Sequence, residues 1–307
     1  MKKNEPLAKH TTLGVGGKAR YFATITNDIH LTTLNSWLIQ HKERLEFFNL
    51  GGGSNVLFSD KGFDGLIIKN KIKIFSYSGS AWRIGAGNLM SEIVALAANN
   101  GIAGFEWAAG LPGTVGGAIY GNAGCYGGQM WDCLESVRYF ELNDATGRPL
   151  EVRTEPYMFS YRQSIFKSKP QNIIISATLK ISKNPRNIAA VQSKTKSIHE
   201  ERQKNNPKER SIGCIFKNPT AIPKGEKELK SAGWLIEKAG LKGLCYGSSS
   251  ISTVHANFFV NDFRGLSNLG LVLPANDMIE LIKIAKGRVY EKFGILLEEE
   301  IIRVGEF

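Results

Sequence analysis

The reading of this chain turns on Gly110-Leu111-Pro112-Gly113-Thr114-Val115-Gly116-Gly117-Ala118-Ile119-Tyr120-Gly121-Asn122-Ala123-Gly124. Ten glycines lie between Gly101 and Gly128. Glycine reaches positive φ without a steric penalty and lets another group approach the backbone closely. Successive glycines also bare several N–H groups, which can form a nest for phosphate oxygens. The spacing is not the GxGxxG fingerprint of a βαβ dinucleotide site, because Gly116 and Gly117 are adjacent and no clear ribose-binding acid follows. A tightly packed bend would use the same residues.

A second cluster, Gly51-Gly52-Gly53-Ser54-Asn55, follows the short apolar strand candidate Phe47–Leu50. It too reads either as a phosphate nest or as a turn. Two separated loops of this kind suit an extended anionic ligand gripped from two sides, such as a dinucleotide. Gly51–Gly53 and the Gly101–Gly128 stretch hold 13 of the chain's 33 glycines, so the glycine excess is local rather than a sign of general flexibility.

The bulk features narrow the field. A chain of 307 residues suggests two or three domains, at about 100–200 residues each. Its formal charge of +11 suits an anionic partner: a nucleotide, a nucleic acid or a membrane surface. No zinc-finger spacing, basic heptad or RNP-like aromatic motif supports nucleic acid. No run approaches a membrane helix, and no apolar stretch follows Met1-Lys2-Lys3, so a cytoplasmic location is expected. Cys125, Cys133, Cys214 and Cys245 match no metal-site spacing, which reads as free thiols and no metal.

The first third alternates strand and helix. Ala19–Ile25, Gly65–Lys69 and Trp82–Ala86 read as strands, Leu31–His41 as a helix, and Asn88 as the N-cap of a helix ending at Asn100. Val137–Leu142 and Asn172–Ile181 are further strands. From Lys183 to Arg210 there are eight Lys or Arg and three Glu with almost no large apolar residue. This segment reads as a solvated helix or linker face, or as a basic rim near an anionic ligand, and marks a domain boundary. Beyond it, Leu229, Ala232, Ile236 and Ala239 form one helical stripe, and Met278, Ile282, Ala285 and Val289 another. A last strand is expected from Ile295 to Val304.

Taken together, the motifs resemble UDP-N-acetylenolpyruvoylglucosamine reductases. They are Leu50-Gly51-Gly52-Gly53-Ser54-Asn55, Gly110–Ala118, Asn122-Ala123-Gly124, Tyr161-Arg162-Gln163-Ser164, Gly213-Cys214-Ile215-Phe216-Lys217-Asn218-Pro219, Ala232–Glu237, His255-Ala256-Asn257 and Leu297-Glu298-Glu299-Glu300. The resemblance runs from Thr12 to Gly305. It implies an α+β fold: a two-subdomain FAD-binding module of the vanillyl-alcohol-oxidase type (1–70 and 71–185) and a C-terminal α+β substrate-binding subdomain (186–307). The strand over 295–305 would return to the active site. It also implies non-covalent FAD, NADPH as co-substrate, and UDP-N-acetylenolpyruvoylglucosamine reduced to UDP-N-acetylmuramate for peptidoglycan. The corresponding roles are cell-wall biogenesis, cell shape and cell division. A monomer is expected, without nucleic-acid or membrane partners.

Residue by residue, the resemblance puts Gly51, Gly52, Gly53, Ser54, Asn55, Gly113, Thr114, Gly116, Gly117, Asn122, Ala123 and Gly124 on the cofactor. It puts Tyr161, Lys217, Asn218 and His255 on the substrate. The catalytic set is Arg162, Cys214 and Glu300. An arginine stays charged and can hold a carboxylate with two hydrogen bonds. A carboxylic acid such as Glu300 can hydrogen-bond developing negative charge if burial raises its pKa, while Glu299 reads as a solvated acidic patch. Cys214 stands where many members have serine as proton donor. A thiol, with an ordinary pKa of about 8.5, is a competent acid near neutrality. The 51 residues between Arg162 and Cys214 suggest the shorter subtype, lacking an extra tyrosine-bearing loop. The competing reading is another FAD-dependent oxidase or dehydrogenase of the superfamily. Some of those bind flavin covalently through His or Cys near the first loop, and Gly51–Asn55 contains neither.

Overall fold

A computed structural model describes residues 1–41, 45–181, 187–261 and 274–307. The chain forms two compact units. One comprises Met1–Lys2, Tyr21–Gly52 and Gly65–Arg202. The other comprises Lys3–Arg20, Gly53–Asp64 and Gln203–Phe307.

In the first unit, Phe47–Leu50 pairs in parallel with Phe63–Asn70, Leu50 facing Lys69. Leu66, Ile67 and Ile68 are all buried, as expected of an inner strand covered on both faces. A five-stranded antiparallel sheet runs in the order Leu150–Arg153, Leu134–Glu141, Asn172–Lys180, Ala81–Gly85, Phe75–Ser78. Its two faces serve two cores. Ile173, Ile175 and Phe140 pack with Leu31, Leu34 and Ile68. Ile174, Ala177, Leu179 and Val137 pack with Ile84, Ile93 and Ile119.

Strict alternation would put Ile173, Ile175, Ala177 and Leu179 on one face. A register shift prevents this: Arg138 faces Ser176, whereas the next residue, Tyr139, faces Ile174. The extra residue is a β-bulge, and it switches the strand's apolar set from one core to the other midway. The Asp28–Gln40 helix is capped by Asn27, whose side chain accepts the His30 N–H.

The second unit has a four-stranded sheet in the order Arg210–Cys214, Phe258–Asn261, Ser249–Ile251, Cys245–Tyr246. The Ala275–Phe293 helix lays Met278, Ile282, Ala285 and Val289 into the core with Ile212, Ile251 and Phe259, the stripe expected from its spacing. Asp60 accepts the Ala275 and Asn276 N–H groups at 2.7 and 3.1 Å, and Gly294 ends the helix in the left-handed region.

Three local expectations need correction. The helix after Asn88 is Met90–Asn99. Its first turn is held by Glu92, which accepts the Leu89 N–H, while Asn88 instead accepts the Ile74 N–H. Leu229 is exposed and lies before the Ala232–Lys238 helix, because the Ser231 side chain starts that helix by capping Trp234 N. The last strand is only Ile302–Val304, parallel to Val56–Phe58. Residues 295–301 lie outside it; of these, Glu298 and Glu300 bond Lys217 and Ile215 through single backbone hydrogen bonds rather than a regular ladder.

The basic segment contains the Ile188–Asn205 helix, of which Val191 is the buried residue. Lys183 and Arg186 fall outside the described residues.

Candidate active site

In the first unit the two glycine loops touch. A Cβ on Gly51 would lie 2.6 Å from Thr114 Oγ1, and one on Gly52 would lie 2.7 Å from Gly113 Cα. Neither position can carry a side chain while the loops stay packed. Thr114 caps the Val115–Tyr120 helix through Gly117 N, and Gly116 packs on Ala86, where a Cβ would come to 2.9 Å. Gly117 and Gly121 differ. A Cβ there would meet nothing closer than Thr114 Oγ1 at 3.6 Å and Gly117 O at 3.7 Å, respectively. The loops are therefore closed against each other and open along the Gly117 flank.

Lys69, which the sequence reading passed over, donates from Nζ to Gly51 O at 2.5 Å. Burial, with help from the charge of Lys71, pulls its pKa down to about 8.

The end of the second loop leads to the Arg162 hairpin. Asn122 is buried at φ 42°. Its amide donates to Gln129 Oε1 and Ser160 O, and its Oδ1 accepts Trp131 N–H. The Ala123 N–H bonds Ala118 O, and Gly124 O accepts Arg162 Nη2 at 2.7 Å. Ser160 pairs with Gln163, which leaves Tyr161-Arg162 as a two-residue turn. Arg162 sits at φ 58°, a region a non-glycine residue enters at a cost. Its guanidinium lies 5.1 Å from the exposed ring of Tyr161.

In the second unit, the segments that carry Cys214 and Glu300 are joined through their backbones. The Glu300 N–H donates to Ile215 O at 2.8 Å, and the Lys217 N–H donates to Glu298 O at 2.8 Å. Gly213, at φ 81°, allows the bulge between Ser211 and Cys214. Asn55, expected on the cofactor, donates its side-chain amide to Glu300 O at 3.1 Å. Ser54 O lies 3.9 Å from where a Gly213 Cβ would be, and Gly53, at φ 74°, is pressed against His10 O.

Lys217 is buried and ion-paired with Glu298. Asn218 Oδ1 accepts the Ala232 N–H. His255 accepts the Asn257 N–H on Nδ1, and burial holds its pKa below the usual histidine value.

Glu299 is not a solvated patch. Arg303 binds it with two hydrogen bonds of 2.7 Å, and Lys286 pairs with the same carboxylate. Burial alone would raise its pKa, but the Arg303 and Lys286 hydrogen bonds and charges outweigh this and hold it below the usual carboxylate value.

Asn257 was also passed over as a site residue. Buried, it accepts Phe216 N–H and donates to Phe216 O, and its own carbonyl accepts Ile215 N–H. It thus grips the chain directly after Cys214. Its place in His255-Ala256-Asn257 was visible, but only a titratable residue drew a role there.

Residues 205–304 match the C-terminal domain of UDP-N-acetylenolpyruvoylglucosamine reductase, and residues 34–153 match an FAD binding domain. The UDP-N-acetylenolpyruvoylglucosamine reductase of Chlamydia trachomatis serovar A is 35% identical, over 98% of this chain and 95% of its own length. That of Caldicellulosiruptor bescii is 36% identical, over 99% of this chain and 91% of its own. The chain belongs to the UDP-N-acetylenolpyruvoylglucosamine reductase family. The crystal structure of the reductase from Thermus caldophilus superposes with a TM-score of 0.76 at 33% identity, covering 97% of each chain.

Membership makes the chain an FAD-dependent oxidoreductase with an α+β fold. The glycine loops fit such a group. Gly51, Gly52 and Gly113 carry no Cβ where the loops meet, and the second loop is open beside Gly117, where an anion can lie against the backbone. Among the described residues no cluster of His, Cys, Asp or Glu could hold a metal, and no helix is long and apolar enough to cross a membrane.

Proposed function

We propose that this chain reduces the enolpyruvyl group of UDP-N-acetylenolpyruvoylglucosamine to UDP-N-acetylmuramate, with NADPH as the electron source. The observation that carries the reading is the Glu300 N–Ile215 O hydrogen bond, which ties the Glu300 segment to the residue directly after Cys214. It puts a weak acid and a carboxyl group on two adjoining segments. FAD, when bound, supplies the hydride that NADPH delivered to it.

Reduction of the enolpyruvyl double bond leaves negative charge on the carbon that bears the carboxylate. Arg162 holds that carboxylate, and its hydrogen bond to Gly124 O keeps the guanidinium in place. Glu300, carrying a proton, hydrogen-bonds the developing charge. Cys214 Sγ gives its proton to the carbon. Asn257 and Asn55 hold the backbones of the Cys214 and Glu300 segments.

Gly51–Asn55, Gly113–Gly117 and Asn122–Gly124 surround the FAD pyrophosphate, with Asn122 and Asn55 acting on loop shape. Tyr161, Lys217, Asn218 and His255 border the sugar nucleotide. The Lys217–Glu298 pair opens when a diphosphate competes for the ammonium. FAD is held without a covalent bond. The FAD module spans 1–70 and 71–185, and the substrate subdomain spans 186–307. The enzyme works as a cytoplasmic monomer that supplies a peptidoglycan precursor, and so supports cell shape and division.

The test is Cys214→Ala. Anaerobic NADPH should bleach its flavin at the wild-type rate, and the enolpyruvyl sugar nucleotide should no longer restore the colour. Cys214→Ser should keep partial turnover. Unchanged substrate reduction in the alanine variant would remove Cys214 from the mechanism.

A further inference from the structure

The basic Ile188–Asn205 helix, which belongs to the first unit as far as Arg202, turns one narrow stripe to that unit's core: Val191, Thr195, Ile198 and Arg202, at helical spacing. Val191 is buried, and Ile198 packs on the core that contains Trp107 and Ile119. The stripe ends in Arg202, whose guanidinium is spent on the glycine loop. Arg202 Nε donates to Ala109 O at 2.8 Å, and Nη2 donates to Cys125 Sγ at 2.7 Å.

Ala109 and Cys125 are the residues immediately before Gly110 and immediately after Gly124. One guanidinium thus ties the two ends of the 110–124 loop to a single rigid helix. Two further observations agree. Tyr126, next to Cys125, holds φ 50° with its ring 5.2 Å from the Arg202 guanidinium carbon. Gly110, at φ 71°, leaves room for the arrangement: a Cβ there would lie 2.8 Å from His199 Nδ1 and 2.9 Å from Arg202 Cδ.

We infer that Arg202 is a positioning residue for the flavin-holding loop, fixing its two ends relative to each other. The inference rests on the reading that this loop holds FAD. A planar fork is needed, because one donor reaches the carbonyl while another reaches the sulfur. A lysine ammonium on a flexible stem cannot span both. The charge of the helix is secondary: Lys194, at the flank of the stripe on the same helix, is exposed.

The test is titration of apoprotein with FAD, followed by quenching of flavin fluorescence. Arg202→Ala should weaken FAD about tenfold or more, since it removes two hydrogen bonds from a charged donor. Lys194→Ala should leave affinity unchanged. Millimolar guanidinium should recover much of the Arg202→Ala loss, and methylammonium should not. Affinity within twofold of wild type in Arg202→Ala, or equal rescue by methylammonium, overturns the inference. If Arg202→Ala does not fold, Arg202→Lys takes its place. Weakened FAD in a variant with wild-type thermal stability supports the fork, and unchanged affinity overturns it. Wild-type protein that binds no FAD would instead defeat the flavin reading itself.

Discussion

Gly52→Ala tests the closure of the two glycine loops most directly. The new methyl would sit 2.7 Å from Gly113 Cα, well inside ordinary van der Waals contact, and its obstacle is backbone. No side-chain rotation relieves it, so the loops must part. Overpacking of this kind costs about 1–3 kcal/mol. If that cost falls on the loop arrangement that accepts FAD, affinity should drop about fivefold to a hundredfold, at about 1.4 kcal/mol per factor of ten.

Gly51→Ala makes a useful partner. Its obstacle is Thr114 Oγ1 at 2.6 Å, a side-chain atom. Gly51→Ala should also lose FAD, and Gly51→Ala with Thr114→Gly should recover part of it at the expense of the Gly117 cap. Gly52→Ala should not respond to Thr114→Gly. The assay is the flavin-to-protein absorbance ratio on purification, followed by fluorescence titration of the apoprotein. Wild-type FAD affinity in Gly52→Ala would refute the reasoning, because it would mean that the loops are not in contact when flavin binds.

Three further outcomes follow from the same geometry. Asn257→Ala leaves the Phe216 N–H and C=O without their buried partner, and should cost about 2–4 kcal/mol in chemical denaturation. Glu299 has a pKa lowered from 4.5, so the stability it adds is present above pH 4.5 and is lost as pH falls through the lowered value. The melting temperature of Glu299→Gln should therefore fall below wild type at neutral pH and converge with it in acid. Lys69, with a pKa of about 8 beside Gly51, should lose its charge as pH rises through that value. FAD binding to wild type should weaken above pH 8, and Lys69→Met should flatten the profile.

Much of the architecture could be read locally. The Met278, Ile282, Ala285 and Val289 stripe turned inward because a 3.6-residue period leaves a helix only one face to bury. Phe47–Leu50 was bounded correctly by its apolar run and the glycines after it. Leu229 misled because period alone cannot see a cap: Ser231 starts the helix after it. The Ile295–Val304 run misled because Glu298 and Glu300 find their backbone partners in Lys217, Ile215 and Asn55, distant in sequence. Glu299 looked solvated in an acidic run, and only the arrival of Lys286 and Arg303 made it an anchored ion pair.

The amino-acid order alone determined which residue types this protein can bring to chemistry. Glycine clusters bare the backbone, an arginine such as Arg162 stays charged, and a thiol such as Cys214 is a weak acid; these are properties of side chains and local φ/ψ preference. Tertiary structure decided which of them meet. Gly51 and Gly52 close on Gly113 and Thr114 across some sixty residues of chain. Glu300 reaches Ile215, and Lys69 and Arg202 acquire partners that no local pattern announced. The physical reason is that a hydrogen bond or a close contact depends on distance in space, and separation along the chain carries almost no information about it once a core has formed.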